Sequence, residues 1–150
     1  MRLPILIRPF EPHDQRAAKA LILAGLAAHW GELDPNQNPD LADIGASYGD
    51  GLFLVAYLGA ELVGTGAFVP LDPITAEIKR MSVAAHYQRQ GIGRLLLDHL
   101  IRAARKRGYR QIVLETTATW QQAITFYQKA GFHLTHITAG DAYFVLKIRT

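Results

Sequence analysis

The sequence predicts an α+β protein (mixed α/β) with a central, mixed and mostly antiparallel sheet of roughly six to seven strands flanked by helices. Three observations predict this class. Apolar runs rich in β-branched and aromatic residues recur between turns that contain Gly, Pro or Asp, which indicates several short strands. Longer segments keep their apolar residues at helical spacing. One helical segment joins two strands in a β-α-β step over residues 77–117, which predicts a single parallel crossover rather than a doubly wound sheet.

The composition bounds the class of protein. The chain has 150 residues, of which 49% are hydrophobic and 19% are charged, and this predicts one globular domain over residues 1–150. It contains no cysteine, which excludes disulfides, thiolate metal sites and a cysteine nucleophile, and fits a reducing compartment. The first apolar run is cut by Pro4 and ended by Arg8, so it is too short for a signal peptide or a membrane span. We therefore expect a soluble cytoplasmic protein with no membrane partner.

The basic charge is concentrated in one segment. The formal net charge is +3, and much of the basic charge lies in "RAARKRGYR", residues 102–110. We interpret this segment as the solvated face and last turn of a helix, where cations meet the negative end of the helix dipole. A nucleic-acid-binding surface is the alternative, but Tyr109 is the one aromatic residue within the run. We therefore expect no nucleic-acid partner.

The N-terminal third begins with an edge strand, "LPILIRPF", residues 3–10. A helix is predicted over "HDQRAAKALILAGLAAHW", residues 13–30, because the segment is rich in Ala and Leu and Gly31 follows its end. Residues 31–50 are rich in Pro, Asp, Asn and Gly, which predicts a loop with one short helix over Asp40–Tyr48.

The central part of the chain is predicted to form three strands. "LFLVAYL" and "ELVGTGAFVP" are separated by Gly59-Ala60, which indicates a hairpin. "TAEIKRMSV", residues 75–83, is the third strand, and regular alternation places Ile78, Arg80 and Ser82 on one of its faces.

The C-terminal half contains the helix–strand alternation. "GRLLLDHLIRAARKRG" is an amphipathic helix that ends at Gly108, and "TWQQAITFYQKAGF" is a helix that ends at Gly131. "QIVLETT", residues 111–117, is a buried strand between them. "HLTHIT" and "AYFVLKI" are two final strands joined by a turn at "AGD".

The segment "YQRQGIG", residues 87–93, lies between a strand and a helix and indicates a phosphate-binding loop. The first turn of a helix leaves backbone N–H groups unpaired at the positive end of the helix dipole. Gly91 and Gly93 remove Cβ atoms that would keep a diphosphate away, and Gln88, Arg89 and Arg94 add side-chain donors. A tight turn without a ligand is the alternative.

Two nucleotide-binding patterns are excluded at this loop. A nicotinamide dinucleotide site needs a third glycine, and position 96 is Leu. A P-loop needs a Gly-Lys-Ser/Thr sequence, which the chain lacks.

The segment "VAAHYQRQGIGRLLL", residues 83–97, resembles the acyl-CoA-binding motif of the GNAT N-acetyltransferase superfamily, Arg/Gln-x-x-Gly-x-Gly/Ala. Gln88, Gly91 and Gly93 fill its three defining positions. "AITFYQKAGF", residues 123–132, is similar to a second segment of that superfamily, and the order of the predicted elements also matches. The resemblance implies a three-layer fold, acetyl-CoA as co-substrate, no metal, and an amine acceptor.

The resemblance also implies which residues bind the cofactor and perform the transfer. Tyr127 is expected to protonate the departing thiolate, with core packing as its alternative role. Glu77 is expected to be the base, with Glu115 as second candidate; a surface ion pair with Lys79 or Arg80 is the alternative for Glu77. The backbone near Met81 is expected to meet the oxyanion. The expected cofactor-binding residues are Met81, Ser82, Val83, Gln88, Arg89, Gln90, Gly91, Ile92, Gly93 and Arg94.

The acceptor side is expected in the loop of residues 31–50, which holds five acidic residues and no Lys or Arg. An acidic wall favours a cationic amine, and we place His29, Trp30 and Asp34 at this site. The alternative is that the aspartates cap helices and turns.

The sequence thus predicts an N-acetyltransferase that moves an acetyl group to a primary amine of a small molecule or peptide in a ternary complex. The alternative is a CoA-binding sensor or interaction module without catalysis. The oligomeric state is left open, with a homodimer as one option.

Overall fold

The computed structural model describes residues 4–34 and 36–149. The seven described strands form one sheet in the order β1 (Ile5–Pro9), β2 (Leu52–Leu58), β3 (Glu61–Asp72), β4 (Thr75–Val83), β5 (Gln111–Thr117), β7 (Asp141–Lys147) and β6 (His133–Thr138). The pairs β1–β2, β2–β3, β5–β7 and β6–β7 are antiparallel, and the pair β4–β5 is parallel. The predicted α+β class, the order of the elements and the single parallel crossover are confirmed.

The elements have the following bounds. The helices are α1 (Gln15–Trp30), α2 (Ile44–Ser47), α3 (Ile92–Lys106) and α4 (Gln121–Lys129). Short 3₁₀ turns cover Pro12–Asp14, Pro39–Leu41 and Ala85–Tyr87. No helix in the described part of the chain is long and apolar enough to cross a membrane.

The chain divides into two compact units. Among the described residues, the first unit contains those up to Val69 together with Lys79–Leu100, and the second contains Pro70–Ile78 and those from Ile101 onward.

The first unit has a core formed by α1, α2, β2 and β3. Gln15, at the start of α1, fixes the segment before α2: its Nε2 donates to the Leu41 carbonyl at 2.8 Å, and its Oε1 accepts from the Ile44 N–H at 2.9 Å. The buried apolar residues are Ala18, Ile22, Leu41, Ile44, Tyr48, Phe53, Val55, Leu62 and Ala67.

The second unit packs α4 and the end of α3 with β5, β6 and β7. The carbonyl of Ile74, just before β4, accepts hydrogen bonds from the N–H groups of Arg110 and Gln111. These bonds join the start of β4 to the start of β5, where the parallel pair begins. Its buried apolar residues include Ala76, Ile112, Leu114, Phe132, Ala142, Phe144 and Ile148.

Two local predictions were wrong in detail. The single short helix predicted over Asp40–Tyr48 is a 3₁₀ turn followed by α2, because the Asp43 carboxylate accepts from the Ala46 N–H at 3.2 Å and begins a separate helix there. The regular alternation predicted along β4 is interrupted at Arg80, whose φ of 55° lies in the left-handed region.

Candidate functional site

The connection between β4 and α3 is a tight turn built on two left-handed residues. It leaves β4 at Ala84, passes through the 3₁₀ turn at residues 85–87, and then has Arg89 at φ 63° and Gly91 at φ 87°. Successive backbone N–H groups in turns of this kind can form a concavity that binds anions. The glycines of this loop were evident from the sequence, whereas the left-handed conformation of Arg89 was not predicted.

Side chains of the loop hold its shape. Gln88 donates through Nε2 to the Val83 carbonyl at 3.2 Å, and Gln90 donates through Nε2 to the His86 carbonyl at 3.4 Å. The Ala84 N–H donates to the Val63 carbonyl of β3 at 2.8 Å. Gln88, expected to donate to the cofactor, therefore also supports the loop.

The loop delivers the N-terminus of α3 to an open surface. The Gly91 carbonyl accepts the helical hydrogen bond from the Leu95 N–H at 3.0 Å, so the N–H groups of the first helical turn lie beyond the intrahelical ladder. A Cβ built on Gly91 would meet no atom within 4 Å, so the space in front of the loop is open. Ile92 and Leu96 are buried and anchor this end of the helix. The geometry suits an anion such as a phosphate.

The residues at the end of β4 pack against the neighbouring strand β3 and against helix α1 of the first unit. A Cβ built on Gly66 of β3 would lie 2.6 Å from the Met81 sulfur, so Met81 occupies the space that this glycine leaves. A Cβ built on Gly25 of α1 would lie 3.1 Å from the Ser82 Oγ. Met81, Ser82 and the loop thus lie in the same compact unit.

An ion-paired cluster adjoins these residues, and sequence reasoning missed it. Arg80 Nη2 lies 2.6 Å from Asp40 Oδ1, and Arg80 Nε donates to Asp40 Oδ2 at 2.9 Å. Tyr48 donates through its hydroxyl to Asp40 Oδ2 at 2.6 Å. Burial opposes ionisation of Asp40, but the hydrogen bonds from Arg80 and Tyr48 lower its pKa. The only available signal was an arginine within the predicted strand.

Tyr127 lies on α4 within the second unit and is 8% exposed. Its ring makes edge contacts with the rings of Phe126 and Phe132, at centroid distances of 5.1 and 5.7 Å. Burial raises the pKa of the phenol, which keeps it protonated at neutral pH. Both alternatives for this residue, packing and proton donation, are compatible with that environment.

The two candidate carboxylates also lie in the second unit. Glu77 is half-buried and pairs in register with Val113 of β5. Glu115 accepts a hydrogen bond from Tyr143, its register partner on β7, and this bond raises the pKa of the Tyr143 phenol. Glu115 therefore has a structural partner.

The residues expected on the acceptor side begin at the end of α1. The rings of His29 and Trp30 meet edge to face at 4.5 Å, and Trp30 is 54% exposed. Asp34 Oδ1 accepts from the Asn36 N–H at 2.9 Å, and Asp43 caps α2. Two of the loop's aspartates therefore make the local backbone bonds expected of capping residues.

A strand, a left-handed glycine turn and an exposed helix N-terminus together form a surface that suits a phosphate group. Residues 17–132 of the chain match the Acetyltransferase (GNAT) family model. The chain belongs to the GNAT acetyltransferase family.

Similar proteins include an uncharacterized N-acetyltransferase, YsnE, of Bacillus subtilis (strain 168), which is 40% identical over 82 residues, covering 53% of this chain and 54% of that protein. The chain spans about half the length of the curated relatives it matches. A GNAT-family acetyltransferase structure from Staphylococcus aureus Mu50 has a TM-score of 0.88 at 23% identity, over 97% of this chain and 100% of that one. A GNAT-family acetyltransferase from Elizabethkingia anophelis with acetyl-CoA bound has a TM-score of 0.71 at 25% identity, over 96% and 98% of the chains.

Proposed function

We propose that this protein is an acetyl-CoA-dependent N-acetyltransferase that acts on a primary amine of a small molecule or peptide. The observation that supports it most is the loop between β4 and α3, in a chain that belongs to the GNAT family. Arg89 and Gly91 are both left-handed there, and the surface in front of Gly91 is open. A pyrophosphate can approach the backbone N–H groups of such a loop closely.

The cofactor is proposed to extend from the loop along the end of β4. Residues 88–94 bind the pyrophosphate, and the backbone of Met81, Ser82 and Val83 binds the thioester end. Backbone N–H groups near Met81 stabilise the negative charge that develops on the thioester oxygen, so the reaction as proposed does not call for a metal ion.

The transfer joins an amine nitrogen to the acetyl carbon and breaks the carbon–sulfur bond. An alkylamine has a pKa of ~10 and must lose a proton before it attacks. In this proposal Glu77 accepts that proton, directly or through water. Tyr127 donates the proton that the departing thiolate receives. Burial raises the pKa of Tyr127, so its phenol donates to a thiolate only where position and environment assist the transfer.

The acceptor is proposed to be a cationic amine that meets His29, Trp30 and Asp34. Trp30 offers an exposed aromatic surface. Asp34 Oδ1 accepts a hydrogen bond from the Asn36 N–H, and this bond does not neutralise the carboxylate. An amine that is cationic in solution is attracted by such a carboxylate.

The remaining predictions rest on the sequence and stay proposals. We propose that the chain functions as a single domain in the cytoplasm, without nucleic-acid or membrane partners, with a homodimer as one option.

A thiol-release assay tests the proposal. Wild-type protein is incubated with acetyl-CoA and, separately, with polyamines, lysine peptides and aminoglycosides, and each product is identified by mass spectrometry. Thiol release that depends on an amine, with the acetylated amine as product, supports the transferase. Acetyl-CoA binding without thiol release for any amine supports the sensor instead.

A further inference from the structure

Arg80 has a backbone conformation that is unusual inside a strand. Its φ of 55° places it in the left-handed region within β4, at a position between Lys79 and Met81. A residue with a Cβ is disfavoured there and persists in it only where the surrounding contacts impose it. The cause must therefore lie in what Arg80 contacts.

The side chain of Arg80 is held by three residues of the segment between α1 and β2. The guanidinium forms a two-pronged ion pair with Asp40, and its Nη2 also donates to the Asn38 Oδ1 at 3.0 Å. Tyr48 donates to the same carboxylate. Arg80 and Asp40 are both largely shielded, with side chains 17% and 30% exposed. We call Arg80, Asp40, Asn38 and Tyr48 the Arg80 clamp.

The main chain of Arg80 is held as well. Its carbonyl accepts a hydrogen bond of 2.8 Å from the Oγ1 of Thr65, a fully buried residue of β3. A side-chain hydroxyl thus satisfies this carbonyl at the point where the strand departs from regular geometry. Together with the clamp, this bond fixes both the side chain and the backbone of Arg80.

The peptide that follows Arg80 is the one that begins the proposed thioester site. A left-handed residue rotates the next peptide group relative to its orientation in a regular strand. We propose that Arg80 is a positioning residue: the Arg80 clamp holds its left-handed conformation and so orients the Met81 peptide toward the thioester. The inference rests on the proposed function, because it names what orients the backbone that acts there.

The test compares Arg80→Ala with Arg80→Gly. Both substitutions remove the guanidinium and with it the clamp, but glycine adopts the left-handed conformation without steric penalty. We expect Arg80→Ala to lower kcat about 10-fold or more with little change in KM for the amine, and Arg80→Gly to stay within about 3-fold of the wild-type kcat. A purely structural role predicts that both folded variants keep the wild-type kcat, whatever their melting temperatures.

Controls keep the test decisive. Arg102→Ala removes an exposed arginine of α3 and is expected to leave kcat unchanged. If circular dichroism shows that Arg80→Ala is unfolded, Tyr48→Phe and Asp40→Asn replace it, and each is expected to lower kcat several-fold in a folded protein.

The outcomes separate this inference from the proposed function. If the wild type is active and Arg80→Ala and Arg80→Gly have equal kcat, the inference alone is overturned. The same holds if Tyr48→Phe and Asp40→Asn both keep the wild-type kcat. A wild type that releases no thiol from acetyl-CoA with any amine overturns the proposed function, and the inference with it.

Discussion

The hydroxyl of Tyr57, in β2, donates a hydrogen bond of 2.6 Å to the Asp14 carboxylate, which lies fully buried just before α1. Arg8 of β1 donates to both oxygens of the same carboxylate, at 2.8 and 2.9 Å. One ionised side chain therefore joins two strands to the start of a helix. Burial opposes this ionisation, but the hydrogen bonds from Arg8 and Tyr57 and from the Glu11 N–H lower the pKa of Asp14 to about 2.

The stability of the protein is expected to fall in acid because of Asp14. A carboxyl whose pKa is lower in the folded state stabilises that state above its unfolded pKa of ~3.9, and the stabilisation is lost as the pH falls toward the folded pKa. We expect a loss of about 2 kcal/mol between pH 4 and 2 from this group, measured by urea unfolding. Asp14→Asn is expected to lack this part of the pH dependence, whereas Asp50→Asn, at an exposed position, keeps it. Parallel pH profiles for wild type and Asp14→Asn would contradict the assignment.

Gly66→Ala is expected to destabilise the first unit through Met81. The new Cβ would lie 2.6 Å from the Met81 sulfur and 3.1 Å from a Leu100 methyl group, so the methionine must move. We expect a loss of about 1–3 kcal/mol in the free energy of unfolding. The double variant Gly66→Ala/Met81→Ala is expected to be more stable than the sum of its two single changes, because the clash is removed. Additive effects would show that the two side chains do not compete for space.

Tyr127→Phe separates the two roles of this residue. A hydroxyl that protonates the departing thiolate acts mainly in the transition state, so its loss is expected to lower kcat and kcat/KM together by about 10²- to 10⁴-fold. The ring remains, so the contacts with Phe126 and Phe132 and the melting temperature are expected to change little. Turnover above about half of the wild-type value, with chemistry rate-limiting, would leave Tyr127 with packing alone.

Asp34→Asn tests the acidic acceptor side. Loss of the charge is expected to raise KM for a cationic amine several-fold and to leave KM for acetyl-CoA unchanged, with the difference shrinking at high salt because exposed charges are screened over ~8–10 Å. Asp43→Asn removes a second charge of the same acidic loop while its side chain still caps α2, and it is expected to raise the amine KM as well. Equal amine KM values for wild type and both variants would assign Asp34 to its turn with Asn36 alone.

Much of the fold was predictable because periodicity and turn residues specify the elements locally. The Gly59-Ala60 hairpin, the bounds of β4 and the end of α1 at Gly31 all follow from such signals. The parallel pairing of β4 with β5 follows from the intervening helix α3.

The interruption of β4 at Arg80 was not predictable, because it depends on a tertiary ion pair. Nothing in a pattern of alternating residues indicates that Asp40, forty positions earlier, will hold an arginine in the left-handed region. The same holds at Asp14, whose partners Arg8 and Tyr57 come from separate strands. Propensity and spacing describe neighbours along the chain, whereas these side chains meet only in the folded protein.

The affinity for acetyl-CoA, measured by isothermal titration calorimetry, tests the central claim most directly. Wild-type protein is expected to bind acetyl-CoA and not NAD. Gly93→Glu, which places a side chain and a negative charge at the first turn of α3, is expected to weaken binding at least ~100-fold, or ~2.7 kcal/mol. Lys106→Gln, which changes the net charge equally at the far end of the same helix, is expected to bind as the wild type does. Equal affinity for NAD and acetyl-CoA, or unchanged affinity in Gly93→Glu, would contradict a pyrophosphate site at this loop.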